Sequence, residues 1–359
     1  MIFMKENLFP LKFRGAVLEE TNKPLKIKDI IFEGPLEVGQ VLVKIEYSGI
    51  CGKQIEEVTG TMGKDIYLPH MLGHEASGFV VSAGPGVKKV SKGDNVILHW
   101  MKGSGINSNT PKYHDIQGNV INAGLITTFN EYAVVSENRV TKISFNFDKR
   151  LGCLFGCAAT TGIGLIVNDV NLKLGESIAI FGCGGVGLIS LQTAKSIGSY
   201  PIIAVDINNM SLKLAQKFGA TYVLNSKDDD FFDKFMRLTN GQGVIHSVVT
   251  TGNIAAIELA IKCASIPGNV YFCGVPPKDS IIKISPLDIH RQKVLRGSFG
   301  GGIFPDVDIP KYLNFCNIHE NKIDLLNLIN YEVMLDNIND GISKVIQGGV
   351  GRCIVRLKE

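Results

Sequence analysis

Several features are scarce in this 359-residue sequence, and each scarcity excludes a class of protein. No apolar run approaches the roughly 20 residues needed to cross a bilayer, so no membrane partner is expected. The net charge is only +3, without a basic block or an acidic tail, so no nucleic-acid partner is expected. Lys5, Glu6 and Pro10 interrupt the start of the chain too early for a secretory leader, which predicts a cytoplasmic location.

Disulfides are also not expected, because the eight cysteines are scattered and no two are spaced as C-x-x-C. In a chain predicted to be cytoplasmic, this pattern indicates buried thiols or single metal ligands. The length suggests two domains, and the contents of 45% hydrophobic and 20% charged residues are ordinary for a globular protein.

The first half of the chain has the pattern of a compact antiparallel β domain. Short runs rich in branched residues are separated by Gly, Pro, Asn or Asp. These runs cover 14–20, 25–32, 40–47, 79–83, 94–99 and 129–135. Residues 101–128 are polar and rich in Gly and Asn, and they are predicted to form a long surface loop.

From residue 151 onward, short apolar strands alternate with helical patterns, which predicts a parallel, doubly wound sheet. The predicted strands cover 177–181, 201–206, 221–225, 244–250 and 269–275. Beyond residue 298, helical patterns near 306–318 and 337–347 precede a last strand at 352–357.

A glycine-rich hexapeptide, G-x-G-x-x-G, joins the first strand of this sheet to the helix after it. It runs from Gly182 to Gly187 and includes Gly184, Gly185 and Val186. Glycines there permit a tight turn and a close approach of the backbone to a pyrophosphate, and the helix N-terminus supplies free N–H groups. These residues are candidates for cofactor binding, with a plain turn as the alternative.

Asp206 ends the next predicted strand, at the distance from the glycines that a dinucleotide site requires. A carboxylate there can accept hydrogen bonds from both ribose hydroxyls and would repel a 2′-phosphate, which favours NAD over NADP. The alternative is that Asp206 caps the helix that begins near Asn208.

Three dispersed residues, Cys51, His74 and Cys157, could form a metal site. Two thiolates and one imidazole leave the fourth position of a tetrahedral zinc open, as a catalytic site requires. Zinc would lower the pKa of an alcohol at that position. Their spacing alone leaves burial in the core as an equal alternative.

The segment from Gly73 to Val87 resembles the signature of the zinc-containing alcohol dehydrogenases of the medium-chain dehydrogenase/reductase superfamily. Its pattern is G-H-E-x-x-G-x5-G-x-x-V. The other segments that are similar to this family, in unbroken order, are GICG (49–52), KGDNVI (92–97), TTGIG (160–164), FGCGGVGL (181–188), AVDIN (204–208), KFGAT (217–221), CGVPP (273–277) and GRCIVRL (351–357).

This resemblance implies an α/β fold in which a Rossmann doubly wound parallel sheet is inserted into a GroES-like β-rich catalytic domain. The expected boundaries are 1–157 for the first part of the catalytic domain, 158–297 for the NAD-binding Rossmann domain and 298–359 for the return to the catalytic domain. The resemblance also implies a homodimer or homotetramer that acts on a small-molecule substrate.

Carried onto this sequence, the resemblance implies that Cys51, His74 and Cys157 hold one catalytic zinc. Glu75 is implied as a nearby carboxylate that can exchange onto the metal. These residues are therefore the expected metal ligands and members of the catalytic site.

Three further residues are implied as cofactor contacts. Thr161 and Val275 would touch the nicotinamide, Val275 through its backbone, and Arg352 would reach the cofactor phosphates. The implied reaction moves a hydride between NAD(H) and an alcohol, polyol or sugar-like hydroxyl, or the matching carbonyl. Two alternatives stay open: a zinc-free reductase of the same superfamily, and an NAD(H)-binding protein without turnover.

Residues 99–119, where many relatives hold a structural zinc with four cysteines, contain no cysteine, so only the catalytic zinc is expected. His99 and His114 in this stretch are predicted as loop or pocket-wall residues in preference to metal ligands. Trp100, the only tryptophan, is predicted either to line the substrate pocket or to pack in the core.

Lys53 stands where relatives have a Ser or Thr that carries the alcohol proton away. One prediction is a simple ion pair with Glu56 or Glu57; the other is a catalytic role, either as proton relay or as the contact for an anionic group of the substrate. Gln54, where an Asp is frequent, is predicted to accept the imidazole N–H of His74 through its carbonyl.

Overall fold

The computed structural model describes residues 8–61, 63–143, 147–318 and 323–357. The strands in these residues are β1 (Leu11–Leu18), β2 (Lys26–Phe32), β3 (Gln40–Ile50), β4 (His70–Met71), β5 (Glu75–Ala83), β6 (Asn95–His99), β7 (Tyr113–Asp115), β8 (Val120–Ile121), β9 (Tyr132–Ser136), β10 (Val140–Lys142), β11 (Ile178–Phe181), β12 (Ile202–Asp206), β13 (Tyr222–Asn225), β14 (Val244–Val249), β15 (Ala264–Phe272), β16 (Lys293–Gly297), β17 (Ile329–Met334) and β18 (Arg352–Arg356). The α-helices are α1 (Gly52–Val58), α2 (Lys149–Gly152), α3 (Ala158–Gly164), α4 (Gly185–Ile197), α5 (Asn209–Phe218), α6 (Phe231–Leu238), α7 (Ile254–Cys263), α8 (Pro286–His290), α9 (Pro305–Ile318) and α10 (Ile338–Gln347).

The first ten strands form most of two sheets. One has the order β4-β1-β2-β7-β8, and the other has the order β10-β6-β5-β3-β18-β17. Strand β9 also belongs to the second sheet, where it pairs with the first residues of β3, and β18 pairs with the last residues of β3. Every pair is antiparallel except β17 with β18, which the predicted antiparallel pattern did not include. Helix α10 connects these two strands, and a helical crossover is the usual way to bring consecutive strands into parallel register.

The third sheet is fully parallel, in the order β13-β12-β11-β14-β15-β16, which confirms the predicted doubly wound architecture. Helices α4, α5, α6 and α7 follow successive strands and pack on them. Phe181 pairs with Val205 and Val249, so the carboxyl ends of β11, β12 and β14 lie side by side, next to the glycine-rich loop that follows β11. Ligands of such sheets bind at these carboxyl ends.

The chain end returns to the first half of the molecule through β18. Its residue Cys353 pairs with Ile50 at the end of β3, so the residue after the pair, Cys51, lies close to the last strand. Within the second half, α3 packs closely on α4. A Cβ on Gly162 of α3 would lie 2.8 Å from Ile189, so only glycine permits this approach.

The predicted long surface loop at 101–128 is wrong in part. It contains β7 and β8, which extend the first sheet. Tyr113 of β7 is only 1% exposed, and its hydroxyl accepts a hydrogen bond of 2.9 Å from the amide of Val134. Strands of two or three residues leave no periodic pattern, so tertiary pairing decides their structure.

No single helix in the described ranges is long and apolar enough to span a bilayer. Two consecutive helical segments, Lys149–Gly156 and Ala158–Val170, are long and apolar enough only when taken together, and they are bent by 62° relative to each other. Most of the prediction about a leader rests on residues 1–7, which lie outside the described residues.

Candidate active site

Cys51, His74 and Cys157 come together from three separate elements. Their potential ligand atoms all lie within 4.8 Å of one another. Cys51 is the residue between β3 and α1, His74 immediately precedes β5, and Cys157 immediately precedes α3. In the described part of the chain this is the cluster of His, Cys and acidic residues with the geometry to hold a metal ion.

Glycines explain why the backbone folds so tightly here. Gly73 has a φ of 93°, and a Cβ on it would lie 2.3 Å from the Thr128 hydroxyl. A Cβ on Gly49 would lie 2.3 Å from the Glu75 carboxylate, and one on Gly156 would lie 2.6 Å from the Glu75 Cα. The sequence motifs contain these glycines because larger residues would push the ligand-bearing segments apart.

The two thiols share a strongly asymmetric environment. A hydrogen bond from Cys157 holds the pKa of the Cys51 thiol well below its ordinary value, and His74 and Arg352 act in the same direction. The neighbouring Cys51 and then burial raise the pKa of the Cys157 thiol. Cys51 and Cys157 would have to lose the proton that they share in order to hold a metal through both sulfurs.

His74 is oriented by Gln54, but not as the sequence predicted. The Gln54 side-chain nitrogen lies 2.6 Å from His74 Nδ1, and its carbonyl accepts a hydrogen bond of 3.0 Å from the Cys51 amide. The prediction that the carbonyl accepts the imidazole N–H is wrong in this arrangement, because the backbone at the start of α1 takes the oxygen. The contact between Gln54 and the ring is nevertheless present.

The donor set fits zinc. His74 Nε2 is buried and has no hydrogen-bond partner among the described residues. It would bind a metal with the Gln54 amide turned so that its carbonyl accepts from Nδ1–H, because a neutral imidazole carries a proton on only one ring nitrogen. Two sulfurs and one imidazole nitrogen are ligands that zinc prefers, and three protein ligands leave one position for a substrate.

Glu75 lies directly behind this cluster, where both of its carboxylate oxygens have protein partners. One pairs with Arg352, and the other accepts a hydrogen bond of 3.0 Å from the Ala158 amide. Glu75 does not belong to the group of residues whose ligand atoms all lie within 4.8 Å of one another. Exchange of Glu75 onto a metal would require the loss of these two contacts.

Lys53 forms the ion pair that the simpler prediction described. Its Nζ lies 3.5 Å from Glu56 Oε2, and 34% of its side chain is exposed. Burial raises the pKa of the Glu56 and Glu57 carboxyl groups, and the positive charge of Lys53 opposes this effect at both. The catalytic role of Lys53 stays a prediction.

The glycine-rich hexapeptide forms the turn from β11 to α4. A Cβ on Gly187 would lie 1.9 Å from the Gly182 carbonyl oxygen, so glycine is required there for packing. A Cβ on Gly184 would meet no atom within 4 Å, so glycine at this exposed position leaves open space above the loop. Gly184 also provides no side-chain cap for α4, whose first amides are free to bind a phosphate.

Asp206 ends β12 and turns its carboxylate toward the same loop. It accepts hydrogen bonds of 2.7 Å from the Cys183 amide and 2.8 Å from the Asn208 amide. The helix cap is Asn208, whose side chain accepts from the first-turn amides of α5, so the alternative that Asp206 is the cap is wrong. A carboxylate so fixed beside the glycines can still accept hydrogen bonds from a ribose.

The other predicted cofactor contacts lie around this loop. Thr161 is buried on α3, one helical turn after Cys157, and its amide donates to the Cys157 carbonyl at 2.9 Å. Val275 is half exposed beyond β15, and its carbonyl lies against Gly252. The aliphatic part of Arg352 lies so close to Gly185 that a Cβ there would be 2.4 Å from it.

The sequence did not single out Phe299, whose ring contacts that of Trp100. The Trp100 amide donates to the carbonyl of Gly156 at 3.4 Å, which fixes Trp100 beside Cys157. The rings of Trp100 and Phe299 meet edge to face with centroids 4.9 Å apart, although Phe299 is 74% exposed. No local pattern predicts this contact, because the residues are distant in sequence.

The two histidines of the 99–119 stretch have different environments. His99 is fully buried, so its prediction as a loop or pocket-wall residue is wrong: the β6 strand carries it inward. His114 is partly exposed and pairs with Glu33 at 2.8 Å.

Comparisons with known proteins agree with this geometry. Residues 37–145 match the family model of the alcohol dehydrogenase GroES-like domain, and residues 185–317 match that of zinc-binding dehydrogenases. The chain is 30% identical to alcohol dehydrogenase 2 of Zea mays, over 97% of this chain and 98% of the relative. It is 29% identical to S-(hydroxymethyl)glutathione dehydrogenase of Paracoccus denitrificans, over 96% and 100%.

A solved structure is similar over the same length. The crystal structure of benzyl alcohol dehydrogenase from Acinetobacter calcoaceticus superimposes with a TM-score of 0.86 at 25% identity, covering 97% of this chain and 99% of that one.

Proposed function

The chain belongs to the zinc-containing alcohol dehydrogenase family, and from this premise we propose that Cys51, His74 and Cys157 form its catalytic zinc centre. The protein is an NAD-dependent oxidoreductase that acts on a small-molecule alcohol or the matching carbonyl. The observation that carries the assignment of the site is the convergence of two cysteines and one histidine within 4.8 Å, beside a glycine-rich nucleotide loop.

Neighbouring residues would hold the three ligands in position for the metal. Gln54 fixes the ring of His74, and the β3-to-α1 turn fixes Cys51. Zinc, when bound, supplies a Lewis acid that lowers the pKa of an alcohol. Glu75 would keep a negative charge behind the ligands, held in place by Arg352 and the Ala158 amide.

The cofactor would bind across the carboxyl ends of β11 and β12. The open space at Gly184 and the uncapped amides of α4 would receive the pyrophosphate, with Gly182, Gly185, Val186 and Gly187 completing the turn. NAD, when bound, accepts the hydride. Asp206 would accept hydrogen bonds from its ribose and exclude a 2′-phosphate.

Residues around the metal would orient the rest of the cofactor. Thr161 and the backbone of Val275 would contact the nicotinamide, and Arg352 would contact the phosphates while it pairs with Glu75. The position of Arg352 against both Glu75 and Gly185 supports this role. Lys53 would act on the substrate side of the metal, either as a proton relay or as the partner of an anionic group.

The organisation around this site is also proposed. The pairing of β18 with β3 supports a catalytic domain of residues 1–157 and 298–359, with 158–297 as the NAD-binding domain. A homodimer or homotetramer and a cytoplasmic location are the expected assembly and compartment, by resemblance to the family.

A panel of alcohols tests the proposal. Purified wild-type protein should reduce NAD in the presence of ethanol, benzyl alcohol, a polyol or a sugar derivative, whereas Cys51→Ser should not. A zinc-free reductase would show no metal in the purified protein. A protein that binds NADH without turnover would reduce NAD with no member of the panel, and Cys51→Ser would leave its binding of NADH intact.

A further inference from the structure

Trp100 follows the last residue of β6 and lies beside the segment that carries Cys157. Its backbone amide donates to Gly156 at 3.4 Å, and its ring meets Phe299, which is itself 74% exposed. The residues before and after Trp100 in the chain make further hydrogen bonds that bear on its position.

The residue before it, His99, is fully buried and uses both ring nitrogens. Its Nδ1–H donates to the Met101 carbonyl at 2.7 Å, which closes the chain around Trp100. Its Nε2 lies 3.0 Å from the Thr141 hydroxyl, and that hydroxyl lies 3.1 Å from an oxygen of Asp306 on α9. Asp306 is thus the end of a polar chain that begins beside Trp100.

The residues after Trp100 lead to the same carboxylate. The amide and the hydroxyl of Ser104 donate to Asp306 at 2.6 and 2.7 Å. Lys89 forms an ion pair with Asp306 and donates to the Ser104 carbonyl at 3.3 Å. Gly103 makes room, because a Cβ there would lie 2.7 Å from the Asp306 carboxylate.

We propose that Asp306 is a positioning residue, which fixes Trp100 at the substrate side of the metal centre by joining the segment from His99 to Ser104 to helix α9. Burial opposes the ionisation of Asp306, but Lys89 and Ser104 hold its pKa below the ordinary value, so the carboxylate keeps its charge. This inference rests on the proposed function, since it gives Trp100 contact with the apolar part of the alcohol. Asp306 therefore acts on substrate affinity from outside the site.

The single tryptophan makes the proposal measurable without turnover. In Asp306→Ala the fluorescence emission of Trp100 should shift to the red, and its quenching by acrylamide should increase. The KM for benzyl alcohol should rise by about tenfold, because a small displacement of a positioning group is costly. The kcat should change less, and the Kd for NADH should be unchanged.

Thr141→Val and Ser104→Ala keep the test decisive if Asp306→Ala does not fold, since each removes one hydroxyl and one link of the network. Both should change emission and KM in the same direction as Asp306→Ala, by less. Asp115→Ala is the matched control: Asp115 also holds a loop, through the amides of Gln117 and Asn119, but it lies on β7. It should leave the emission and the KM unchanged.

Unchanged emission and quenching in folded Thr141→Val and Ser104→Ala would overturn the proposal, as would an equal change in Asp115→Ala. A protein that oxidises no alcohol would overturn the proposed function instead. In that case the emission and quenching of Trp100 would still decide whether Asp306 positions it.

Discussion

Glu75 and Arg352 are 277 residues apart in the chain and form an ion pair at the centre of the site. The Glu75 side chain is completely buried and that of Arg352 is 4% exposed. The same arginine lies against Gly185, so it connects the metal side of the site to the nucleotide side. Its position explains why the first and last parts of the chain must fold together before the site exists.

Removal of one partner of this ion pair should destabilise the fold. Arg352→Met leaves the Glu75 carboxylate buried without its counter-charge, so the free energy of unfolding should fall by about 3–5 kcal/mol in urea denaturation. The double variant Glu75→Gln with Arg352→Met removes both charges and should recover part of this loss. Arg14→Met, which breaks an exposed pair with Asp336, should cost at most about 1 kcal/mol. An equal loss in the single and double variants would show that the charges are not coupled.

Asp206 should decide the choice between NAD and NADP. Asp206→Asn removes the charge that repels a 2′-phosphate and keeps a side-chain oxygen for the Cys183 amide. The ratio of kcat/KM for NAD to that for NADP should fall by about tenfold, which corresponds to about 1.4 kcal/mol. Asp228→Asn, a substitution of another acidic residue after the neighbouring strand, should leave the ratio unchanged. A preference unaltered in Asp206→Asn would assign this carboxylate a purely structural role.

Lys53 should matter to turnover if it acts on the substrate. Lys53→Ala should lower kcat by about a hundredfold, the lower end of the usual contribution of a proton-transfer group. Lys53→Ser should restore part of the activity, because relatives carry a hydroxyl at this position. Lys64→Ala, at another exposed lysine, serves as the control. Wild-type turnover and an unchanged pH–rate profile in both Lys53 variants would leave only the ion pair with Glu56.

His99 should make the fold sensitive to acid. Burial lowers its pKa from 6.5 to about 4, so between these values the unfolded chain binds a proton that the folded chain does not. The free energy of unfolding should therefore decrease as the pH falls from 6.5 to 4, by about 3 kcal/mol in total. His99→Gln should lack this component in urea denaturation at a series of pH values.

His114 is the matched control, because its pKa is shifted in the opposite direction to that of His99. The Asp115 carbonyl and Glu33 raise its pKa above 6.5, so its contribution to stability is complete at low pH and is lost as the pH rises through the raised pKa. His114→Gln should keep the acid-sensitive component that His99→Gln removes. If both variants behave alike, the acid sensitivity arises elsewhere.

The parts of the site that local sequence could predict are those that local chemistry determines. The alternation of strands and helices predicted the parallel sheet, and Gly182 to Gly187 marked the loop because only glycine fits such a turn. Cys51, His74 and Cys157 could be named as a set only through the family pattern, since they are too far apart for spacing to relate them.

The remaining parts depend on tertiary contacts. The Gln54 amide is oriented by the free N–H of Cys51, so its chemistry could not be inferred from its residue type alone. Asp306 lies about 200 residues from Ser104 and carries no motif. Short strands such as β7 form because the edge of a neighbouring strand, here β2, is available for pairing. A sequence of three residues gives no sign of that pairing.

The metal content of the purified protein tests the central claim most directly. The account predicts one zinc per chain in the wild type by elemental analysis, and the loss of that zinc together with NAD reduction in Cys51→Ser and His74→Ala. Cys316→Ala, at a buried cysteine of α9, should keep the zinc. Wild-type protein that is active without zinc, or a Cys51→Ser variant that retains it, would contradict the assignment of this site.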